Sequence, residues 1–157
     1  MAFKLFGKKE APSLVSVADG DVVDLGDVSD PVFASKSMGD GFAVQPSSGA
    51  VVSPVNGNVV SVFPTKHAII MRSDEGFDLL VHMGIDTVAL KGEGFDVKVT
   101  KGDKVTNGQT LATMDLDHVL AQGKQTTIIV LITNLEDKRI KLTTGAATAG
   151  TPVAVVK

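Results

Sequence analysis

Short runs of β-branched residues, each cut off within a few positions by Gly, Asp, Asn or Pro, recur along this chain from Leu14 to its end. Val, Ile and Thr number 23, 7 and 13, or 43 of 157 residues. Branching at Cβ stiffens χ1 and suits a side chain to a pleated, half-buried surface rather than to a helix. The runs predict strands at Leu14–Val17, Asp21–Asp24, Phe42–Pro46, Gly49–Val52, Gly57–Pro64 and Ala68–Arg72. Further strands are expected at Asp78–His82, Asp96–Val99, Thr110–Asp115, Thr126–Thr133 and Val153–Val156. Asp40-Gly41, Asn56-Gly57, Ser73-Asp74-Glu75-Gly76 and Lys101-Gly102-Asp103 supply the turns. Only Asp117–Gln122 reads as a helical turn, with Asp117 as N-cap and Gly123 as stop. Strands this short and regularly spaced imply an all-β fold, either an antiparallel β-sandwich or a barrel-sandwich hybrid with very little helix.

The length suits a single domain, and a chain of this size buries about two-thirds of its unfolded surface without needing a metal or disulfide staple. Charge and composition then exclude whole classes of function. Fifteen basic against eighteen acidic residues leave a net charge of −3, and Trp and Tyr are absent. Neither the electrostatic footprint nor the stacking platforms of a nucleic-acid binder are present. With no Cys there is no disulfide, thiolate zinc site, iron–sulfur cluster or thiol nucleophile. The apolar run Thr126–Thr133 is too short to span a bilayer, and MAFKLFGKKEAPS lacks the apolar core and cleavage site of a signal peptide. The expected compartment is cytoplasmic.

Residues 1–12 stand apart from the rest, with Phe3, Leu5 and Phe6 interleaved with Lys4, Lys8 and Lys9. Such a tail is expected to be flexible, and its composition is also that of a segment touching an anionic membrane surface. Residues 13–157 form the domain. From Met1 and this tail the expectation is a free-standing protein, with a piece cut from a longer polypeptide left open as the alternative.

Two segments, Val51–Phe63 and Val97–Met114, resemble the turn-and-strand half-motifs of barrel-sandwich hybrid folds, including biotinyl and lipoyl carriers. A carrier of that kind needs a lysine at the hairpin tip. Here Asp115 follows Ala112-Thr113-Met114, and no lysine comes before Lys124, so that activity is disfavoured.

Chemistry therefore falls to three His, together with carboxylates and hydroxyls. His118, beside Asp117, reads as a solvent-facing or capping residue. His67 and His82 each interrupt an apolar run, in KHAII and LLVHMG. Folding Ala68–Arg72 against Asp78–His82 about the Ser73–Gly76 turn brings both imidazoles to one end of the pair. Two core histidines satisfied by their surroundings would look the same in sequence. If they converge on one patch, they can ligate a metal, exchange protons, or let one act as nucleophile beside the other. The zinc endopeptidases of related architecture use an H-x-H pair, whereas this chain has His82-Met83-Gly84, which disfavours metal-dependent hydrolysis.

The run LLVHMGIDTVALKGEGF (Leu79–Phe95), with TKHA (Thr65–Ala68), SDPVFASKSMGDGFAVQP (Ser29–Pro46) and SPVNGNVVSVF, resembles the glucose-type enzyme IIA (EIIA) domains of the bacterial phosphoenolpyruvate:sugar phosphotransferase system. The likeness extends from about Val15 to Val156. It implies the duplicated hybrid-motif fold and a phosphohistidine carrier, a phosphotransferase component that needs no cofactor. His82 takes the place of the phosphorylated nucleophile, and His67 that of the partner stabilising the phosphoryl group. Thr65 matches the hydroxyl that orients His67, and Gly84 matches the backbone acceptor for His82. The donor implied is the small phosphocarrier HPr. The acceptor implied is a cysteine of the EIIB domain of an EIICB sugar permease, with which the domain associates transiently at the membrane. Partner docking falls on Val32, Phe33, Met38, Phe63, Ile70, Leu80, Met83 and Val88, with Asp30 and Asp86 at the rim. The alternative is a regulatory docking module using the same patch, with a zinc at His67 and His82 shared with the partner.

Overall fold

The computed structural model describes residues 11–157, so the composition-based expectation of a membrane-touching tail falls almost wholly outside the described residues. The Pro12 carbonyl already accepts a hydrogen bond from the Val156 amide at 2.8 Å, which ties the start of the domain to its end. Strands in chain order are β1 (Ser13–Val15), β2 (Gly20–Asp24), β3 (Asp40–Pro46), β4 (Ala50–Val52), β5 (Gly57–Val62), β6 (Ala68–Ser73) and β7 (Asp78–Ile85). They continue with β8 (Phe95–Val97), β9 (Lys104–Val105), β10 (Thr110–Met114), β11 (Gln125–Ile132), β12 (Ile140–Leu142), β13 (Gly145–Ala147) and β14 (Pro152–Val156). The helices are α1 (Pro31–Ala34) and α2 (Leu116–Ala121).

Eight strands form one sheet in the order β9-β5-β6-β7-β11-β3-β2-β13, and two three-stranded sheets run β4-β10-β8 and β12-β14-β1. Every pairing is antiparallel. The all-β, sandwich-like expectation holds.

Alternation along the strands divides the large sheet into two differently used faces. Phe42 and Val44, Ile69 and Met71, Leu79, Val81 and Met83, and Ile128, Val130 and Ile132 point into the main core with Leu14, Val51 and Leu111 from the small sheets. Their neighbours Ala43, Ala68, Leu80, Ile129 and Leu131 point the other way, into a smaller apolar cluster closed by Leu25, Val28 and Phe33. A period of two residues makes this division automatic once the register is set.

Several elements depart from the sequence reading. Strand β7 runs on to Ile85, because Met83 and Ile85 find partners in Ile128 and Gln125 of β11. Strands β9, β12 and β13 were not anticipated; each is at most three residues long, too short to show alternation. Helix α1 was missed for the same reason, since four residues cannot display a helical period. Its end signals are nonetheless present: Asp30 caps it, accepting from the Val32 amide at 2.9 Å and the Phe33 amide at 3.4 Å, and Pro31 opens it. The cap of α2 is Asp115 rather than Asp117, through a 3.1 Å bond from the His118 amide. Asp117 sits inside the first turn, where its charge complements the helix dipole.

Phe42 is fully buried at the centre of the main core. Phe42→Ala should lower the unfolding free energy by about 3–5 kcal/mol, read as a reduced urea midpoint with an unchanged denaturant slope.

Candidate functional site

The second face of the large sheet carries both central histidines. His67 immediately precedes β6, in a tight turn where the Lys66 amide donates to the Phe63 carbonyl at 2.8 Å. His82 lies on β7 directly opposite Ala68, with Ile129 of β11 on its other flank. Alanine at that cross-strand position leaves room for a second ring. The two imidazoles meet edge to face, with centroids 4.9 Å apart and planes at 83°. Phe33 of α1 packs its ring on His82 at 5.0 Å, and Phe63 packs on His67 at 5.5 Å. The expected convergence of His67 and His82 is therefore present, and His118 sits elsewhere, on α2 beside Gly94 and Glu93.

Each ring is fixed through Nδ1. Thr65 Oγ1 lies 2.7 Å from His67 Nδ1. His82 Nδ1 lies 2.7 Å from the carbonyl oxygen of Gly84. A carbonyl only accepts, so His82 Nδ1 must carry the proton, and in the neutral ring the lone pair is at Nε2. The Gly84 carbonyl is available because the β7–β11 ladder is interrupted there. Ile128 pairs with Met83 and Gln125 with Ile85, so two residues of β11 face the single Gly84. This is a β-bulge, a device that re-aims groups beside sites. Gly84 adopts φ +81°, and a Cβ there would lie 2.4 Å from Thr87 Cγ2 and 2.9 Å from the Gln125 carbonyl oxygen. No other residue type fits that position.

The electrostatics keep both rings neutral. His67 is 4% exposed; burial first, then the neighbouring His82, pushes its pKa down to about 4, against a raising contribution from the Thr65 backbone. Burial also lowers the pKa of half-buried His82, opposed by its bond to the Gly84 carbonyl and by the charges of Asp30 and Asp86. Near pH 7 the site presents two uncharged imidazoles, with His82 Nε2 free to accept or attack.

The apolar residues expected to receive partners fall into three groups. Val32, Met38 and Val88 are exposed, at 52%, 42% and 53%. Phe63 and Ile70 are half-buried at the edge of the second cluster, while Phe33 and Leu80 lie buried within it. Met83 is a correction: it is fully buried in the main core, on the face opposite its neighbour His82, and cannot meet a partner. Adjacent strand residues face opposite ways, and the sequence reading overrode that alternation here. Asp30 is engaged as the cap of α1. Asp86 is exposed in a left-handed conformation, φ +61°, and makes no side-chain capping bond. Thr87 was missed; it is completely buried and donates from Oγ1 to the Met83 carbonyl at 2.6 Å. It lies inside the run Leu79–Phe95 that carries the family resemblance, which gave it no role. Among the described residues no group of three or more His, Asp or Glu side chains is placed to hold a metal ion, and no helix is long and apolar enough to cross a membrane.

Taken together, the two-faced antiparallel sheet and the paired neutral imidazoles define an all-β domain that presents a histidine with one ring nitrogen masked. The chain belongs to the EIIA 1 family of the phosphoenolpyruvate-dependent sugar phosphotransferase system, whose family model matches residues 12–138. It is 46% identical over 137 residues to a PTS system glucose-specific EIIA component of Staphylococcus aureus, covering 85% of this chain and 82% of that protein. It is 52% identical over 144 residues to a PTS system glucose-specific EIICBA component of Streptococcus pneumoniae, covering 90% of this chain. The match spans only 20% of that relative's length, and 19% of the corresponding EIICBA component of Staphylococcus saprophyticus. Among solved structures, glucose permease IIA from Mycoplasma capricolum superposes with a TM-score of 0.89 at 35% identity, covering 99% of both chains.

Two outcomes test this geometry. In Gly84→Ala the new methyl meets the Gln125 backbone, which cannot swing aside; stability should fall by about 2 kcal/mol or more, and the His82 Nδ1–H resonance should move as its acceptor shifts. The second concerns pH. Unfolded His67 titrates near about 6.5, whereas folded His67 resists protonation down to about 4. Between those values the unfolded chain binds the extra proton, so stability falls as pH falls through that window. Urea unfolding at about pH 7 and about pH 4.5 should show this loss in wild type and a smaller one in His67→Gln; identical losses would refute the assignment.

Proposed function

We propose that the chain is a phosphohistidine carrier, with His82 Nε2 as the acceptor and donor atom. The observation that supports this reading most directly is the 2.7 Å bond from His82 Nδ1 to the Gly84 carbonyl, which leaves Nε2 as the nucleophilic nitrogen. On this reading the donor is phosphohistidine on HPr. The Nε2 lone pair forms the new N–P bond while the donor's P–N bond breaks, and its electron pair returns to the donor imidazole. Positive charge that develops on the His82 ring is eased by the Gly84 carbonyl, Asp30 and Asp86, the same groups that raise its basicity. With Thr65 donating to His67 Nδ1, the ring proton of His67 sits on Nε2 and can hydrogen-bond a phosphoryl oxygen. Onward transfer reverses the bond changes: a thiolate of an EIIB domain attacks phosphorus and the P–N bond to His82 breaks. This chain has no Cys, so on this reading the thiol belongs to another domain. The EIICBA names of two relatives support an EIIB acceptor belonging to a sugar permease, with glucose as the sugar those names carry. Positioning and electrostatics suffice for the transfer, so no cofactor is invoked. The domain would work in the cytoplasm and meet the permease at the membrane.

The exposed side chains of Val32, Met38 and Val88 support a second reading, in which the unphosphorylated domain docks regulatory partners through the same patch. A zinc shared with such a partner would take His67 and His82 as two ligands and its remaining ligands from the partner. Phosphorylation of His82 would set negative charge against that patch and weaken apolar docking.

Incubation with phosphoenolpyruvate, enzyme I and HPr, followed by intact-mass spectrometry, tests the proposal. Wild type should gain one phosphoryl group, and His82→Gln should gain none; label retained on His82→Gln would overturn it. His67→Gln should accept the group but deliver it poorly to an EIIB thiol.

A further inference from the structure

The bond between His82 and Gly84 depends on a carbonyl in the least regular part of β7. At Gly84 the ladder with β11 is bulged, Gly84 has φ +81°, and two residues later Asp86 also adopts a left-handed conformation, φ +61°. Within this segment only Ile85 is paired with β11, through Gln125, so the Gly84 carbonyl beside the bulge needs a further restraint to keep its direction. Asp86 makes no side-chain bond that would do so.

Thr87 closes this segment. Its hydroxyl donates to the Met83 carbonyl at 2.6 Å, spanning Gly84, Ile85 and Asp86 in one ring. Its methyl lies directly under Gly84, occupying the space that any Cβ there would need. The Met83 amide, in turn, donates to the His67 carbonyl at 2.7 Å. The residue between His82 and Gly84 is thus gripped on its N–H side by His67 and on its C=O side by Thr87. Full burial of the hydroxyl raises the stakes, because an unmade bond there would leave the Met83 carbonyl without its partner away from water.

We propose that Thr87 is a positioning residue that holds the Gly84 carbonyl on His82 Nδ1 and so determines which ring nitrogen bears the lone pair. Its consequence for transfer rests on the phosphocarrier reading above; the tautomer itself is a property of the unmodified protein. A merely structural threonine would affect stability and leave the ring's proton where it is.

The test is long-range ¹H–¹⁵N correlation of the His82 ring in uniformly labelled full-length protein, with folding checked from the amide spectrum. Wild type and Thr87→Ser should both show a protonated Nδ1 and an unprotonated Nε2. Thr87→Val, which keeps the shape but loses the donor, should show a mixed tautomer with Nε2–H populated. Thr87→Ala takes its place should the valine variant fail to fold. In the assay with HPr, the variant lacking the hydroxyl should accept phosphoryl groups about tenfold more slowly, with Thr87→Ser near wild type. A folded Thr87→Val or Thr87→Ala that keeps the pure Nδ1–H tautomer overturns the inference, as does a mixed tautomer in Thr87→Ser. Wild type that shows the expected tautomer but takes up no phosphoryl group overturns the proposed function instead, and leaves this inference standing.

Discussion

The hydrogen bond from His82 Nδ1 to the Gly84 carbonyl is the contact around which the second face of the sheet is organised. A neutral imidazole has two tautomers of similar energy, and a bond at one nitrogen decides which lone pair is offered to a reaction partner. To supply an acceptor two residues away on the same strand, β7 must give up regular pairing just beyond His82. The bulge against β11 does this, and it is tolerated only because residue 84 has no side chain and Thr87 fills the space beneath it. Regular pairing on the other side remains intact, where Ala68 stands opposite His82 and sets the second imidazole next to the first. One strand thus joins an ordered ladder that places the ring to an irregular turn that sets its proton.

Burial then sets the charge state. Both rings lie against apolar surface, Phe33 on His82 and Phe63 on His67, and burial is the largest influence lowering each pKa. The two are not equivalent. His82 keeps counterweights in the Gly84 carbonyl, Asp30 and Asp86, whereas His67 has the Thr65 backbone alone. A ring with nearby carboxylates can tolerate a passing positive charge better than one without. That asymmetry suits the roles proposed for them, one ring forming and breaking a bond and the other remaining neutral beside it. Asp30 also shows how local structure serves the site. The carboxylate that caps α1 is the one that bears on His82, and the helix it caps carries Phe33 onto the ring.

Much of this was legible in the sequence, for reasons that can be traced to particular residues. The Ser73–Gly76 turn between two alternating apolar runs was enough to pair β6 with β7, and that pairing alone brings His67 and His82 together. Alternation should also have placed Met83 in the core, since its neighbours Leu79 and Val81 face that way along the same strand. The docking role given to it came from the family resemblance instead, and the pleat overrules it. Other features left no periodic trace. Helix α1 is too short to show one, strands β9, β12 and β13 exist because neighbours supply a pairing edge, and the bulge at Gly84 is a relation between two strands. Thr87 stands within the run that carries the resemblance, but its importance lies in what it touches across the turn, and a threonine after an aspartate carries no such information.

The two faces of the large sheet divide stability from chemistry. The main core takes Phe42, Met71, Leu79, Val81 and Met83 together with residues of both small sheets, and it owes nothing to the histidines. The second cluster is smaller and, among the described residues, is covered by the segment carrying Leu25, Val28 and Phe33. Its outer rim carries exposed Val32 and Val88. A face so lightly covered contributes less to folding, which leaves its residues freer to vary with whatever docks there. Within it, the Gly84 carbonyl that sets the tautomer of His82 is held from below by the bulge and by buried Thr87, while Asp30 and Asp86, which bear on its charge, stand nearer the rim. Substitution at the rim can therefore change which surfaces fit while the ring's proton stays where it is. This separation would let one fixed imidazole be presented to more than one partner in turn, as the proposed receipt and onward transfer of a group requires.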